Sequence, residues 1–358
     1  MAQSNLLIQY ADCANTLIQE SSDASTQQLH FRLCTQLLQQ LNSFFTEKDC
    51  CLPLDQEHRE IFLNNFCSPV QVLLVNMGSD LITNTLLEQI VHFVVFIFKE
   101  EKRVLNGGLF IINGLVSAVE GRIAPFWKDL ENYILHACTK QDTDDLGVRM
   151  ALGLISDFAN NMQASIAPSL PQIVPVLQNV FNDSSYEPDA KLRAIVALGD
   201  LNLACENKFM SYFESVFNSF LQASQFSLKK PDHEEEAQVL IQLKEALLEG
   251  YVSILYGVNS DRDFKGNCDA DVERYCRQIF EYLETVVING EDSFPPTLIL
   301  EIFNLFMDIS RMFLGGLEKD IEQVRDGSAS MESKLSLYIL KSKLPEILRN
   351  GLPSLNED

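Results

Sequence analysis

The sequence predicts an all-α protein, a right-handed α-solenoid of about seven to eight antiparallel helix pairs stacked side by side. Three observations predict it. First, apolar residues between Leu146 and Gln222 recur with the 3.6-residue period of a helix in four successive runs. The runs are Val148, Ala151, Leu152, Ile155 and Phe158; Leu170, Ile173, Val174, Leu177, Val180 and Phe181; Leu192, Ile195, Val196, Gly199 and Leu203; and Phe209, Tyr212, Phe213, Val216, Phe217 and Phe220. Second, the runs alternate in kind. The first and third carry a further apolar face (Leu154; Ala194, Ala197, Leu198 and Leu201), which requires burial on most sides, while the second and fourth have one apolar stripe and one polar face. Third, the alternation repeats. Ile-Ala-Pro begins at Ile123 and again at Ile166, and Asp157 and Asp200 hold equivalent places; both spacings are 43 residues. Two helices per unit with a period in the low forties is the mark of HEAT-type repeats, which cannot bury their apolar faces alone and therefore stack.

In chain order, residues 4–19 and 26–46 read as a first helix pair, the second carrying Leu29, Leu33, Leu37, Leu38 and Leu41. A polar turn from Glu47 to Gln56 follows, then helices over about 57–76, 80–99 and 103–119. Three helices between two pairs leave the phase of the repeat open before about residue 120. From Arg122 the pairs are regular: 122–139 with 146–162, 166–181 with 188–206, and 208–223 with 235–257. The charged stretch 224–236 is a surface insertion, because the helical period resumes at once after it. A further pair spans about 270–288 and 296–314, with Pro295 and Pro296 at a helix start, where proline is tolerated. Residues 315–358 form a more polar last pair that ends at Asn350-Gly351-Leu352-Pro353, as expected of a capping repeat. The first helix has no comparable polar side, so the sequence is expected to be the C-terminal part of a longer solenoid, with residues 1–358 one continuous stack.

Charge and composition narrow the function. The 358 residues carry a formal net charge of −23, which disfavours nucleic acid and anionic membranes and favours a basic partner. An acidic surface also serves solubility alone. The nine cysteines form no C-x-x-C and their number is odd, so reduced thiols in a cytosolic or nuclear compartment are expected. The run Ile90 to Phe98 is about half the length that spans a bilayer and is interrupted by His92, so no membrane insertion is expected. The start, MAQSNLLIQY, lacks the basic residues and long apolar core of a signal peptide.

No catalytic or metal-binding grouping is present by spacing. There is no G-x-S-x-G, no Gly-rich phosphate loop, no H-E-x-x-H and no Cys/His cluster; His30, His58, His92, His136 and His233 are isolated. The sequence therefore points to a binding protein with no cofactor and no metal. Two stretches carry candidate contacts. Glu245 and Glu249 are four apart, so both carboxylates project from one face of a helix in the inner layer. Glu235 and Glu236 lie at the start of that helix, where acidic residues also complement its dipole. On the outer layer, Phe126, Trp127, Leu170, Phe209, Tyr212 and Phe213 admit two readings. They pack against neighbouring outer helices, or they line grooves that accept a partner's phenylalanine.

The residues also resemble a known family. LRAIVALGDLNLACENKFMSYFESVFNSFLQASQ, from Leu192 to Gln225, is similar to the C-terminal repeats of importin-β, a nuclear import karyopherin, as are ALGLISDFANNM, PQIVPVLQNV and LKEALLEGYVSILYGV. Gly153, Asp157, Gly199, Asp200, Glu245, Glu249 and Tyr251 carry the likeness, which is strong over Leu105–Ser260, weaker over Asp271–Val324 and poor before residue 50. The resemblance implies a superhelix of which this chain is the C-terminal part. It implies that the basic importin-β-binding segment of importin-α, or another basic cargo segment, lies on acidic inner residues: Glu245, Glu249, Glu235, Glu236 and Tyr251. It implies that Phe-Gly nucleoporins bind between outer helices and that the GTPase Ran binds mainly through an N-terminal half not present here. Residence in cytoplasm and nucleus and at the nuclear pore follows. The chain departs from the family in having no tryptophan after Trp127, where the family's last repeat offers one to the adaptor. A HEAT-repeat scaffold of an enzyme complex, such as a phosphatase assembly, is the other class of function open to such a sequence.

Overall fold

The computed structural model describes residues 24–46, 67–100, 105–140, 143–228, 230 and 233–259, together with isolated positions between 274 and 305. Among these residues regular structure is helical throughout, with no strand. The helices are α1 (Ala24–Thr46), α2 (Cys67–Asn76), α3 (Asn84–Glu100), α4 (Leu105–Val119), α5 (Trp127–Ala137), α6 (Asp145–Met162), α7 (Leu170–Asn182), α8 (Pro188–Cys205), α9 (Met210–Ser227) and α10 (Glu234–Asn259). The chain divides into two compact units, Met1–Ala190 and Lys191–Asp358.

In the first unit, antiparallel partners alternate. α3 packs on α4 and α5 on α6; across pairs, α4 packs on α6 and α3 on α5. This is the two-layer stacking that the 43-residue period requires. α2 belongs to the layer of α4 and α6, because Gln71 Nε2 donates to Asn113 Oδ1 at 2.5 Å. A side chain at Gly114 would run into the backbone of Gln71, so only glycine allows α2 and α4 to approach this closely. His30 Nδ1 lies 3.5 Å from the carbonyl oxygen of Asn76, which sets α1 against α2. The side of α1 bearing His30, Cys34 and Leu37 is buried. The sequence reading makes 26–46 the closing helix of a pair. The partner then expected for it, 4–19, lies outside the described residues, as do 47–66 and the last repeat.

The helices start later than the apolar periodicity suggests, for one repeated reason. Glu120–Phe126, Gln163–Ser169 and Glu206–Phe209 are 3-10 helices that precede α5, α7 and α9. Pro125 and Pro168 lie within the first two and have no N–H to continue an α-helical ladder. The first residue of each turn has a positive φ: 48° at Glu120, 49° at Gln163 and 49° at Glu206. These positions are 43 residues apart, as are the residues that plug the core beneath them, Ile123, Ile166 and Phe209.

Helix starts and polar burial are also matched. Asp144 caps α6 by accepting from the Gly147 N–H at 2.8 Å. Asn106, buried at the start of α4, donates to the same carboxylate at 2.8 Å and accepts from the Thr143 hydroxyl at 3.0 Å. Among the described residues one stretch, Asn106–Ala137, has the length and apolar composition of a bilayer span. It is broken at Glu120, and Leu109, Ile112, Leu115, Leu130 and Ile134 within it are core residues.

Candidate functional site

The acidic candidates lie on α10 in the second unit. Its buried stripe is Leu240, Leu243, Leu247, Tyr251 and Ile254, spaced three or four apart, and α9 packs on this helix. The complementary stripe is polar: Glu235, Gln238, Gln242 and Glu249 are exposed, and Glu245 is half-buried between them. Glu236 is half-buried beside Glu235. From Glu235 to Tyr256 this stripe is about 30 Å long at 1.5 Å per residue. Glu236, Glu245 and Glu249 each take part in interactions within the fold, so an incoming cation would exchange against these.

Tyr251 does not belong to this face, contrary to the sequence expectation. It is 0 % exposed, and its hydroxyl shares a hydrogen bond with Ser224 Oγ at 2.8 Å. Its ring sits among Phe217, Phe220 and Tyr282, with centroids 5.8 to 6.0 Å away. Burial raises the pKa of its hydroxyl well above the usual tyrosine value, so it is a neutral core group. The reason is helical phase: Tyr251 is four residues beyond Leu247 on the buried stripe, and Glu249 points the other way. α8 crosses α10 on its buried side. A side chain at Gly250 would meet the Phe220 ring and Ile195, and Asn202 donates to the carbonyls of Ser253 and Ile254 at 3.0 and 3.2 Å.

The aromatic candidates are mostly core. Trp127, Leu170, Phe209 and Phe213 are each 3 % exposed or less; Phe126 and Tyr212 are half-buried. Trp127 packs against Phe158 with centroids 4.8 Å apart, and its indole N–H donates to Ser169 Oγ at 2.9 Å. Phe213 stacks on Phe217 at 5.8 Å and meets the edge of Tyr275 at 4.8 Å. Of the two readings open for these residues, packing describes Trp127, Leu170, Phe209 and Phe213; they are not walls of an open groove. Trp127 follows directly on one 3-10 turn and Phe209 ends another, and both are core residues there. The sequence reading also missed Lys128, Glu131 and Ser169, which form a hydrogen-bonded cluster around Trp127. The spacing of Trp127 and Ser169, 42 residues, was the available signal.

An open groove lies elsewhere in the first unit, between α1 and α3. It holds about 580 Å³ and is lined by Leu38, Leu86, Ile90, Phe93 and Phe96, with Thr35, Gln39, Gln89 and His92 around them. Among the described residues that line it there is no carboxylate, lysine or arginine. A groove of this kind accepts apolar side chains, while its glutamines can both donate to and accept from a peptide backbone. Among the described residues no group of three or more His, Cys, Asp or Glu side chains is placed to hold a metal ion.

Comparison with known proteins agrees with this architecture. A crystal structure of importin β matches with a TM-score of 0.73 at 15 % identity, over 96 % of this chain and 41 % of that one. Kap95p, the yeast importin-β, matches in a complex with RanGDP (TM-score 0.67, 15 % identity, 99 % of this chain, 42 % of that one). It matches also in its complex with Nup1 (TM-score 0.66, 16 % identity, 99 % and 42 %). The chain thus spans less than half the length of these relatives. The profile of the importin subunit beta-1-like family, TPR repeats, matches residues 5–324. A HEAT-type stack of helix pairs, with its repeated joints, and a family match over most of its length make this chain a member of the importin subunit beta-1-like family.

Proposed function

We propose that this chain is the adaptor-binding portion of a nuclear transport receptor, which moves between cytoplasm and nucleus through the pore. The partner on α10 is a basic helical segment, of the kind that links importin-α to importin-β. One observation carries the reading: the polar stripe of α10 presents Glu235, Glu245 and Glu249 along one line on a chain of net charge −23. A cationic helix aligned with such a stripe gains from long-range attraction in encounter and from paired charges once docked.

The test is calorimetric titration of a synthetic Arg/Lys-rich adaptor helix against the chain and against Glu245→Lys/Glu249→Lys. Like-charge juxtaposition at an interface costs several kcal/mol, so the double variant is expected to lose binding by two orders of magnitude or more, roughly. Its helical circular dichroism is expected to stay unchanged, since both side chains lie off the buried stripe. Equal affinity in parent and variant, or equal binding of a charge-scrambled control, removes α10 from the site.

A second part of the reading concerns Phe-Gly nucleoporins. The complex of the relative Kap95p with Nup1 supports it at family level. In this chain the groove between α1 and α3 offers the apolar and aromatic side chains of Leu38, Leu86, Ile90, Phe93 and Phe96 that such a peptide needs.

A further inference from the structure

Lys128 and Glu131 sit in the first turns of α5, three residues apart, in opposite environments. The Glu131 side chain is 5 % exposed and that of Lys128 is 64 % exposed. Glu131 Oε2 accepts from Lys128 Nζ at 2.9 Å, and Glu131 Oε1 has no hydrogen-bond partner. The same ammonium donates to Ser169 Oγ at 3.1 Å, at the foot of α7. Trp127 donates its indole N–H to that oxygen at 2.9 Å. An exposed cation is therefore both the counter-charge of a buried carboxylate and a tie across the seam between α5 and α7.

A buried carboxylate that loses its partner is strongly disfavoured, because nothing offsets its desolvation. The relief is protonation or hydration, and hydration is eased when the first turn of α5, no longer tied by Lys128, moves away from Ser169. Trp127 lies one turn before Glu131 on the same side of α5, so water that reaches Glu131 also reaches the indole. Phe158, 0 % exposed, lies beneath it. We propose that Lys128 is a charge latch on this seam, and that loss of its charge opens a pocket floored by Trp127 and Phe158. The pocket would take an aromatic side chain of a peptide. That choice of occupant rests on the Phe-Gly binding proposed above, although the closed seam itself is no open groove, whereas the latch stands without it.

The chain has a single tryptophan, so its emission and its indole N–H signal report on this seam alone. In Lys128→Gln of the full chain, emission is expected to shift to longer wavelength and indole N–H exchange to speed up by about tenfold or more, the factor for about 1.4 kcal/mol. Lys128→Arg is expected to behave as the parent. In Lys128→Gln/Glu131→Gln no charge remains buried, and emission and exchange are expected to return to parent values. Unchanged emission and exchange in Lys128→Gln overturn the latch, and so does a double variant as open as the single one. If Lys128→Gln fails to fold, the double variant decides: folded with a shut seam supports the latch, and unfolded overturns it. Titration with a Phe-Gly peptide then separates the two ideas. A pocket that opens in Lys128→Gln yet binds no peptide leaves the latch standing and removes its occupant.

Discussion

Cys34, Cys67 and Cys138 show what burial does to a single group. All three are free thiols in the core, and burial pushes their pKa from the ordinary 9.0 up to about 12. The folded pKa exceeds the unfolded one, so the fold favours the protonated thiol. The contribution to stability is complete below pH 9.0 and disappears as pH rises through about 12. Urea midpoints are therefore expected to fall steadily across that interval. These thiols are also expected to resist a thiol reagent near neutral pH until the chain unfolds, because the thiolate is the nucleophile. Rapid modification of all three in the native protein would show that the core is open to solvent. Reduced cysteines are predictable from sequence, since no pairing pattern exists. The depth of each is not: Cys34 is legible from its period with Leu37, whereas Cys138 is buried just past the end of α5, where Tyr186, 48 residues on, donates its hydroxyl to the Cys138 carbonyl at 2.9 Å.

Single helices were legible where one period governs them. α7 buries Leu170, Ile173, Val174, Leu177 and Val180, as the spacing of its apolar residues predicts. α8 was less so. Leu203 fits the apolar period yet is 43 % exposed, while polar Asn202 is 0 % exposed. The cause is the crossing with α10, which needs small residues and a donor at this level, and a neighbour some 50 residues away leaves no trace in the local pattern. Gly250→Ala tests this crossing. The added methyl meets the Phe220 ring, and overpacking of a tight core is expected to destabilise the chain by about 1–3 kcal/mol in urea unfolding. An unchanged midpoint would mean that α8 and α10 separate freely. The 3-10 joints give the opposite sign. Gln163 is exposed at φ 49° and ψ −142°, a conformation that glycine adopts at little cost. Gln163→Gly is expected to stabilise by about 0.5–1 kcal/mol despite the extra freedom of the unfolded chain, with a rise in urea midpoint as the readout.

At the scale of the molecule, charge and apolar surface make separate demands on partners. Phe-Gly peptide binding is expected to be weak, because ordering an unstructured chain offsets much of the burial. It is expected to change little with salt, since the described lining of the groove between α1 and α3 is dominated by Leu38, Leu86, Ile90, Phe93 and Phe96 and holds no carboxylate, lysine or arginine. Adaptor binding is expected to fall steeply over the same salt range. Peptide titrations followed by NMR at two salt concentrations check both, with Phe93→Ala as the groove variant; shifts that avoid α1 and α3 would move the peptide site elsewhere. The 43-residue joints have a consequence for folding as well. Arg122 reaches back 43 residues to the Ser79 carbonyl, Trp127 forward 42 to Ser169, and Gln71 forward 42 to Asn113. Each tertiary link closes a loop of nearly the same length, so the entropy of closure is similar at every step and never grows with the size of the chain. Such a chain can nucleate in more than one repeat and zip outward, with rates set by local contacts rather than by total length. Its cost is cooperativity over distance: repeats that touch only their neighbours melt in stages, so one denaturation midpoint describes a neighbourhood of the chain and not the whole.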